Sequence, residues 1–143
     1  MLYTDSMKLT KLFLITLPIM FVIDFSWAAF IAKDFYSSQL GALISSHPVV
    51  PAILAFYVLY SFAIAYFVLA PALAVRSYKL LAMNATLLGL TAYGTYDLVN
   101  LGITPGWPVL VTVVDMIWGM AVTLIVSSAV YFLTTHRLKP QRV

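Results

Sequence analysis

YGTYDLVNLGITPGWPVLVTVVDMIW, residues 93–118, decides the fold, because two apolar segments meet here across a turn. The turn is rich in residues that interrupt helices, namely Gly102, Pro105, Gly106 and Pro108. Two aspartates, Asp97 and Asp115, stand at the facing ends of the two segments, and Trp118 follows the second by one helical turn. Charged groups in so apolar a setting need a reason, and the rest of the chain is interpreted around them.

The composition is that of a membrane protein. Of the 143 residues, 63% are hydrophobic and 9% charged, and the mean hydropathy is +1.00, far outside the range of soluble domains. A chain of this length has room for about four spans of about 20 residues each. We therefore expect one transmembrane domain, residues 1–143. The chain has no cysteine, which excludes disulfides and thiolate sites.

Four apolar stretches have the length of a membrane span: 11–32, 49–70, 80–101 and 109–134. They predict an all-α fold, an integral membrane four-helix transmembrane bundle. Between the first two stretches, apolar residues from Tyr36 to Ile44 repeat at helical spacing and predict a short interfacial helix over 36–46. The third stretch is rich in small residues such as Ala85 and Gly89, which favour close packing with a neighbouring helix.

The basic residues predict the orientation in the membrane. In a bundle of four spans, all cations but Lys33 fall on one side: Lys8, Lys11, Arg76, Lys79, Arg137, Lys139 and Arg142. The positive-inside rule therefore places both termini in the cytoplasm. Because these cations stand at the ends of the spans, they explain the net charge of +3 without a nucleic-acid partner.

Three aspartates are predicted to lie at one level. At about 1.5 Å per residue, Asp24, Asp97 and Asp115 lie roughly 12, 6 and 10 Å below the outer ends of their helices. We expect one pocket that opens outward. Its predicted ligand- or cation-binding residues are Asp24, Trp27, Tyr57, Tyr93, Asp97, Asn100, Asp115 and Trp118. An alternative for Asn100 is a local role at the end of its helix.

The aspartates also allow a purely structural interpretation. Asp24 precedes Trp27 by the same three residues that separate Asp115 from Trp118, and the two helices run in opposite directions. If they touch, each indole N–H can donate to the other helix's carboxylate. Against this stands the cost of acids within a membrane, which makes them functional candidates by default. Three acids without a basic partner should repel one another, so the group takes up a proton or binds a cation.

The same motifs resemble a known family. Tyr96-Asp97-Leu98 with Asn100, then Gly106-Trp107-Pro108, then Asp115 with Trp118-Gly119 are similar to the domain-of-unknown-function 2177 family of small bacterial inner-membrane proteins. The similarity covers almost the whole chain, including Asp24 and Trp27. It implies a four-helix, multi-pass protein of the bacterial inner membrane. It implies no activity, substrate or cofactor.

Three functions are compatible with the sequence. The first is binding or transport of a cation or small amphipathic ligand by carboxylate charge and contact with tryptophan faces. A transporter of this size would need a second copy, which predicts a homodimer. The second is a membrane-embedded enzyme acting on lipid, with two aspartates as acid and base. The third is an accessory subunit in which the acids only lock the bundle.

Metal and cofactor sites are not expected. The two histidines, His47 and His136, are predicted at opposite membrane boundaries and cannot share a haem or metal. A hard cation such as Mg²⁺ held by the three acids and Asn100 belongs only to the enzyme alternative. Membrane lipids are the partners that the composition implies.

Overall fold

The computed structural model describes the backbone of residues 2–137 and the side chains of residues 8–135. Every regular element within those limits is helical, so the protein is all-α, as the sequence predicts. The α-helices have these bounds: α1 Leu2–Ser26, α2 Lys33–Leu40, α3 Val50–Ala63, α4 Ala70–Ala74, α5 Tyr78–Ile103 and α6 Val109–Arg137.

Two wider, π-helical turns extend these helices. The turn Trp27–Ile31 continues α1, and the turn Ile64–Leu69 joins α3 and α4 into one rod. Helix α2 is shorter than the predicted interfacial helix and begins three residues earlier, and a 3-10 turn, Gly41–Leu43, follows it. Turns of the π type occur mostly as single insertions and frequently at functional sites, and Trp27 is one of the residues predicted for the site.

The rod of α3 and α4 runs through Pro71, although the sequence places the helix end before this proline. Proline has no N–H to donate and crowds the carbonyl four residues earlier, which here belongs to Phe67. The π-helical turn accommodates the proline, and the Asn84 side chain on α5 donates its Nδ2 to the Phe67 oxygen over 3.0 Å. Because that carbonyl is satisfied from a neighbouring helix, the rod continues to Ala74.

The closest helix pair is α5 with α6. A Cβ atom on Gly89 would overlap the backbone carbonyl of Gly119, and a Cβ on Gly119 would overlap the ring of Tyr93. Only glycine permits this approach of two backbones, which accounts for the small-residue face recognised in the sequence. The turn between the helices contains Gly106 at a φ of 80°, a conformation that glycine adopts without strain.

The other helices complete the packing around this pair. Helix α1 packs against α6 on one side and α3 on the other, while the π-helical turn Ile64–Leu69 packs against α1, α5 and α6. By contrast, the backbones of α3 and α5 have few close contacts. The two meet through the rings of Tyr60 and Tyr93, which lie edge-on with centroids 6.0 Å apart. The end of the molecule that carries α2 and the α5–α6 turn is called here the α2 end.

Three helical stretches of the described chain are long and apolar enough to cross a membrane: Lys8–Ile31, Val50–Ala74 and Val109–Thr135. Four were predicted. Helix α5 has the required length of 26 residues but not the hydropathy, because it carries Asn84, Asp97 and Asn100 among several threonines and glycines. Its crossing stays a prediction. So does the orientation of the termini, and the basic tail, with Lys139 and Arg142, lies outside the described residues.

Candidate functional site

Separation of α3 from α5 leaves a cavity of about 600 Å³ at the α2 end. All three predicted aspartates line it: Asp24 from α1, Asp97 from α5 and Asp115 from α6. No lysine, arginine or histidine is among the described residues that line it. The three acids that the sequence assigns to one pocket therefore lie around one cavity.

Asp24 is held by three donors. Its Oδ1 accepts from the Trp118 Nε1 over 2.9 Å and from the Tyr93 hydroxyl over 3.1 Å, and its Oδ2 accepts from the Tyr57 hydroxyl over 3.0 Å. These donors come from α6, α5 and α3, so one carboxylate on α1 links the four long helices. A carboxylate with this many partners is well satisfied within an apolar protein.

Asp115 is contacted from outside the long helices. Tyr36, on α2, donates its hydroxyl to Asp115 Oδ1 and accepts from the Trp27 Nε1 over 3.2 Å. Burial, together with the Asp115 carboxylate, raises the pKa of the Tyr36 phenol, so the hydroxyl remains protonated and able to donate well above physiological pH. This side chain fixes α2 to the cavity.

The two indoles stack between these groups. The rings of Trp27 and Trp118 have centroids 4.2 Å apart and planes inclined by 10°. Trp118 donates to Asp24 on the other helix, as the antiparallel spacing predicts. The reciprocal bond from Trp27 to Asp115 does not form directly, because the Tyr36 hydroxyl lies between them.

Asp97 is the exception among the three acids. It is fully buried, and neither carboxylate oxygen has a hydrogen-bond partner. Another acid, Asp115, acts on it electrostatically. An ionised carboxylate in such a position is very costly unless a counter-charge accompanies it. The side chain borders the cavity, which is where a counter-charge has room.

The α5–α6 turn lies next to the backbone of Asp97. The Trp107 Nε1 donates to the Thr112 hydroxyl over 3.0 Å, and Thr112 approaches the backbone oxygen of Asp97 at 3.5 Å. The Trp107 ring also meets Tyr96 edge-on, with centroids 5.8 Å apart. Trp107 thus holds the turn against the end of α5 that carries the buried acid.

Comparison with family models shows the family to which the chain belongs. The family described as "Predicted membrane protein (DUF2177)" matches residues 9–132. The chain belongs to the DUF2177 family. The resemblance inferred from the motifs is thereby confirmed, and the matched range includes every residue of the site. Neither a curated protein nor a solved structure matches the chain.

Most of the predicted site residues of this DUF2177 protein come together. Six line the cavity, and Tyr57 stands beside it through its bond to Asp24. Asn100 does not line it. Its amide donates to the Tyr96 carbonyl over 3.0 Å and its oxygen accepts from Thr104 over 2.9 Å, which is the local role at the helix end that the sequence allowed.

Two hydroxyl-bearing residues of the site were not predicted. Tyr36 was read only as part of the apolar side of an interfacial helix, although a tyrosine there, nine residues after Trp27, was the available signal. Tyr60 lines the cavity and bonds the Thr123 hydroxyl over 2.6 Å. It follows Tyr57 by three residues and so lies on the same face of α3. The apolar lining, such as Phe56 and Leu59, carries no sequence signal that separates it from lipid-facing residues.

Proposed function

We propose that this protein binds an organic cation in the outer half of the bacterial inner membrane. In this proposal α5 is a fourth span, both termini are cytoplasmic, and the α2 end faces outward. Asp97 carries the proposal, because it is a buried carboxylate that borders a cavity and has no hydrogen-bond partner. A bound cation supplies what this group lacks.

The difference in hydrogen bonding among the three acids supports this function. Asp24 is occupied by three donors and Asp115 by Tyr36, which is expected of groups that hold the fold. Asp97 has no such role. Groups left unsatisfied at a cost to stability are typical of binding and catalytic sites.

The shape of the site favours an organic cation over a metal ion. Within the described chain, no three side chains among His, Cys, Asp and Glu are grouped so as to hold a metal. Aromatic rings supply seven of the fifteen lining residues: Trp27, Tyr36, Phe56, Tyr60, Tyr93, Tyr96 and Trp118. Carboxylates combined with aromatic faces are the recognition chemistry of quaternary and protonated amines.

The conformation supports binding rather than passage through the membrane. On the side away from the α2 end, the π-helical turn Ile64–Leu69 packs against α5 and α6, and its residues Ile64, Ala65, Val68 and Leu69 are fully buried. A through-going path would require these contacts to open.

A direct test compares a cation with its neutral isostere. Choline and 3,3-dimethylbutanol have nearly the same shape and differ in charge. The protein, reconstituted in lipid nanodiscs as its Trp107→Phe variant, reports on the Trp27–Trp118 stack by fluorescence. We expect a saturable change with choline and at least about tenfold weaker binding of the alcohol. Equal responses to the two compounds, or no saturable response to choline, would refute cation binding.

A further inference from the structure

Between α3 and α5 the cavity is lined by apolar side chains, and this side is called here the mouth. Phe56, Leu59 and Ala63 lie on one face of α3 at helical spacing, and Leu88 and Ala92 lie on α5. Leu59 is 71% exposed. Because α3 and α5 have few close backbone contacts and meet here through the edges of the Tyr60 and Tyr93 rings, we take the mouth to open between them, towards the space that the membrane fills in the proposed orientation.

Two hydrogen-bonded aromatic residues stand towards the α2 end. Tyr36 is bonded both to Trp27 and to Asp115, and it holds α2 against the site. Trp107 is bonded to Thr112, whose hydroxyl approaches the backbone oxygen of Asp97. A ligand arriving from the α2 end would meet these hydrogen-bonded groups, whereas one arriving between α3 and α5 would first meet the apolar side chains of the mouth.

The cavity is therefore acidic at its back and apolar at its mouth. Asp97 is fully buried and is placed with Asp115 at the back, whereas the exposed Leu59 is placed with the other alkyl side chains of α3 and α5 at the opening. Its volume of about 600 Å³ is in the range of sites for small organic molecules. An occupant that matches both ends has a positive head and a hydrocarbon chain.

We infer that the ligand is a membrane-dissolved amphiphile, an alkyl chain bearing a protonated or quaternary amine, which enters sideways between α3 and α5. Its head takes the place beside Asp97 and Asp115, and its chain lies along Leu59, Ala63, Leu88 and Ala92. This inference rests on the proposed function, since it names the class of cation that the site receives. The charge of the back wall and the apolar surface of the mouth select this occupant together.

The test narrows the mouth without touching the acids. Ala63→Phe adds a ring at the mouth, and Ala55→Phe places the same ring on the exposed, non-lining surface of the same helix. Dodecyltrimethylammonium, dosed as a mole fraction of nanodisc lipid, and water-soluble choline are titrated into each variant by Trp fluorescence. We expect Ala63→Phe to lower the affinity for dodecyltrimethylammonium by about tenfold or more, because the added ring overfills a packed site. The affinity of Ala63→Phe for choline should change by less than about twofold. Ala55→Phe should leave the affinities for both ligands unchanged.

The outcomes separate this inference from the proposed function. Suppose that choline binds, but that Ala63→Phe leaves the affinity for dodecyltrimethylammonium unchanged or lowers the affinities for both ligands equally. Entry through the mouth is then wrong, while cation binding stands. If the wild-type protein binds neither compound, both proposals fail.

A second measurement does not depend on the fold of any variant. An alkyltrimethylammonium carrying a diazirine midway along its chain is photolysed with the wild-type protein in nanodiscs, and adducts are mapped by mass spectrometry. We expect labelling of Leu59 and Leu88 that excess dodecyltrimethylammonium removes. Labelling spread evenly over exposed residues such as Leu87 and Phe62, and not displaced by competitor, would overturn the inference.

Discussion

Trp27 and Trp118 stack with their ring centroids 4.2 Å apart, and the N–H groups of the two indoles are linked to different aspartates. Trp118 reaches Asp24 directly, and Trp27 reaches Asp115 through the hydroxyl of Tyr36. The stack thus joins a carboxylate that holds the helices together to one that holds α2. Both indoles line the cavity that Asp97 also borders.

Asp24 is expected to be mainly structural. Asp24→Asn retains the size of the side chain but replaces one acceptor oxygen with a donor, which faces the Tyr57 hydroxyl or the donors Tyr93 and Trp118. We expect a loss of about 1–3 kcal/mol in the free energy of unfolding, measured by thermal or denaturant unfolding in detergent. Asp34→Asn, on exposed α2, removes an acid of the same type and should have no such effect. Equal stability of the two variants would contradict the assigned role.

Asp97 is expected to behave in the opposite way. Because its buried oxygens have no partners, Asp97→Leu removes a desolvated polar group and should raise the free energy of unfolding by about 1–3 kcal/mol. The same unfolding experiment measures it, with Asp24→Leu as the comparison that should destabilise. A clear loss of stability in Asp97→Leu would show that the carboxylate has a structural partner.

Tyr36 is expected to fix α2. Tyr36→Phe removes the hydroxyl that connects Trp27 and Asp115 while leaving the ring in place. Hydrogen–deuterium exchange should become about tenfold faster or more in Lys33–Leu40, since the lost bond to a charged group is worth about 1.5–3 kcal/mol. Exchange in α5 and α6 should stay the same. Tyr66→Phe, at a half-exposed tyrosine on the α3–α4 rod, serves as the control, and unchanged exchange in α2 would disprove the link.

The α5–α6 contact depends on Gly89. Gly89→Ala places a methyl group against the backbone of Gly119 and Met120, which cannot rotate away as a side chain can. We expect destabilisation of about 1–3 kcal/mol or more, seen as a lower unfolding temperature. Gly102→Ala, on the same helix with no atom near the added Cβ, should be neutral or slightly stabilising. A Gly89→Ala variant as stable as Gly102→Ala would contradict the close approach.

Much of the site could be read from the sequence because acids are rare in this chain. Asp24, Asp97 and Asp115 are conspicuous in apolar stretches, and a count of helical rise is enough to bring them to one level. The antiparallel spacing of Asp24 with Trp27 and of Asp115 with Trp118 also predicts one of the two indole bonds. The small residues of α5 indicate close packing with a neighbouring helix for the same reason, since composition is a local property. They do not indicate which helix that is.

The parts that escaped prediction depend on contacts between segments distant in sequence. Tyr36 enters the site because α2 folds back after the π-helical turn, and no local pattern encodes that angle. The continuation of the rod through Pro71 depends on a side chain of α5, Asn84. The separation of α3 from α5, which creates the cavity, is a property of how helices pack and is invisible in either helix alone.

The most direct test of cation binding is the affinity of choline for Asp97→Asn in nanodiscs, measured by equilibrium dialysis against wild type and Asp34→Asn. Asp97→Asn removes the charge without changing the volume, so the account predicts at least about 30-fold weaker binding, the effect of losing one partner of a buried charge pair. Asp34→Asn should bind within about twofold of wild type, since an exposed charge contributes little. Unchanged affinity in folded Asp97→Asn would contradict the claim that this carboxylate is the counter-charge of the ligand.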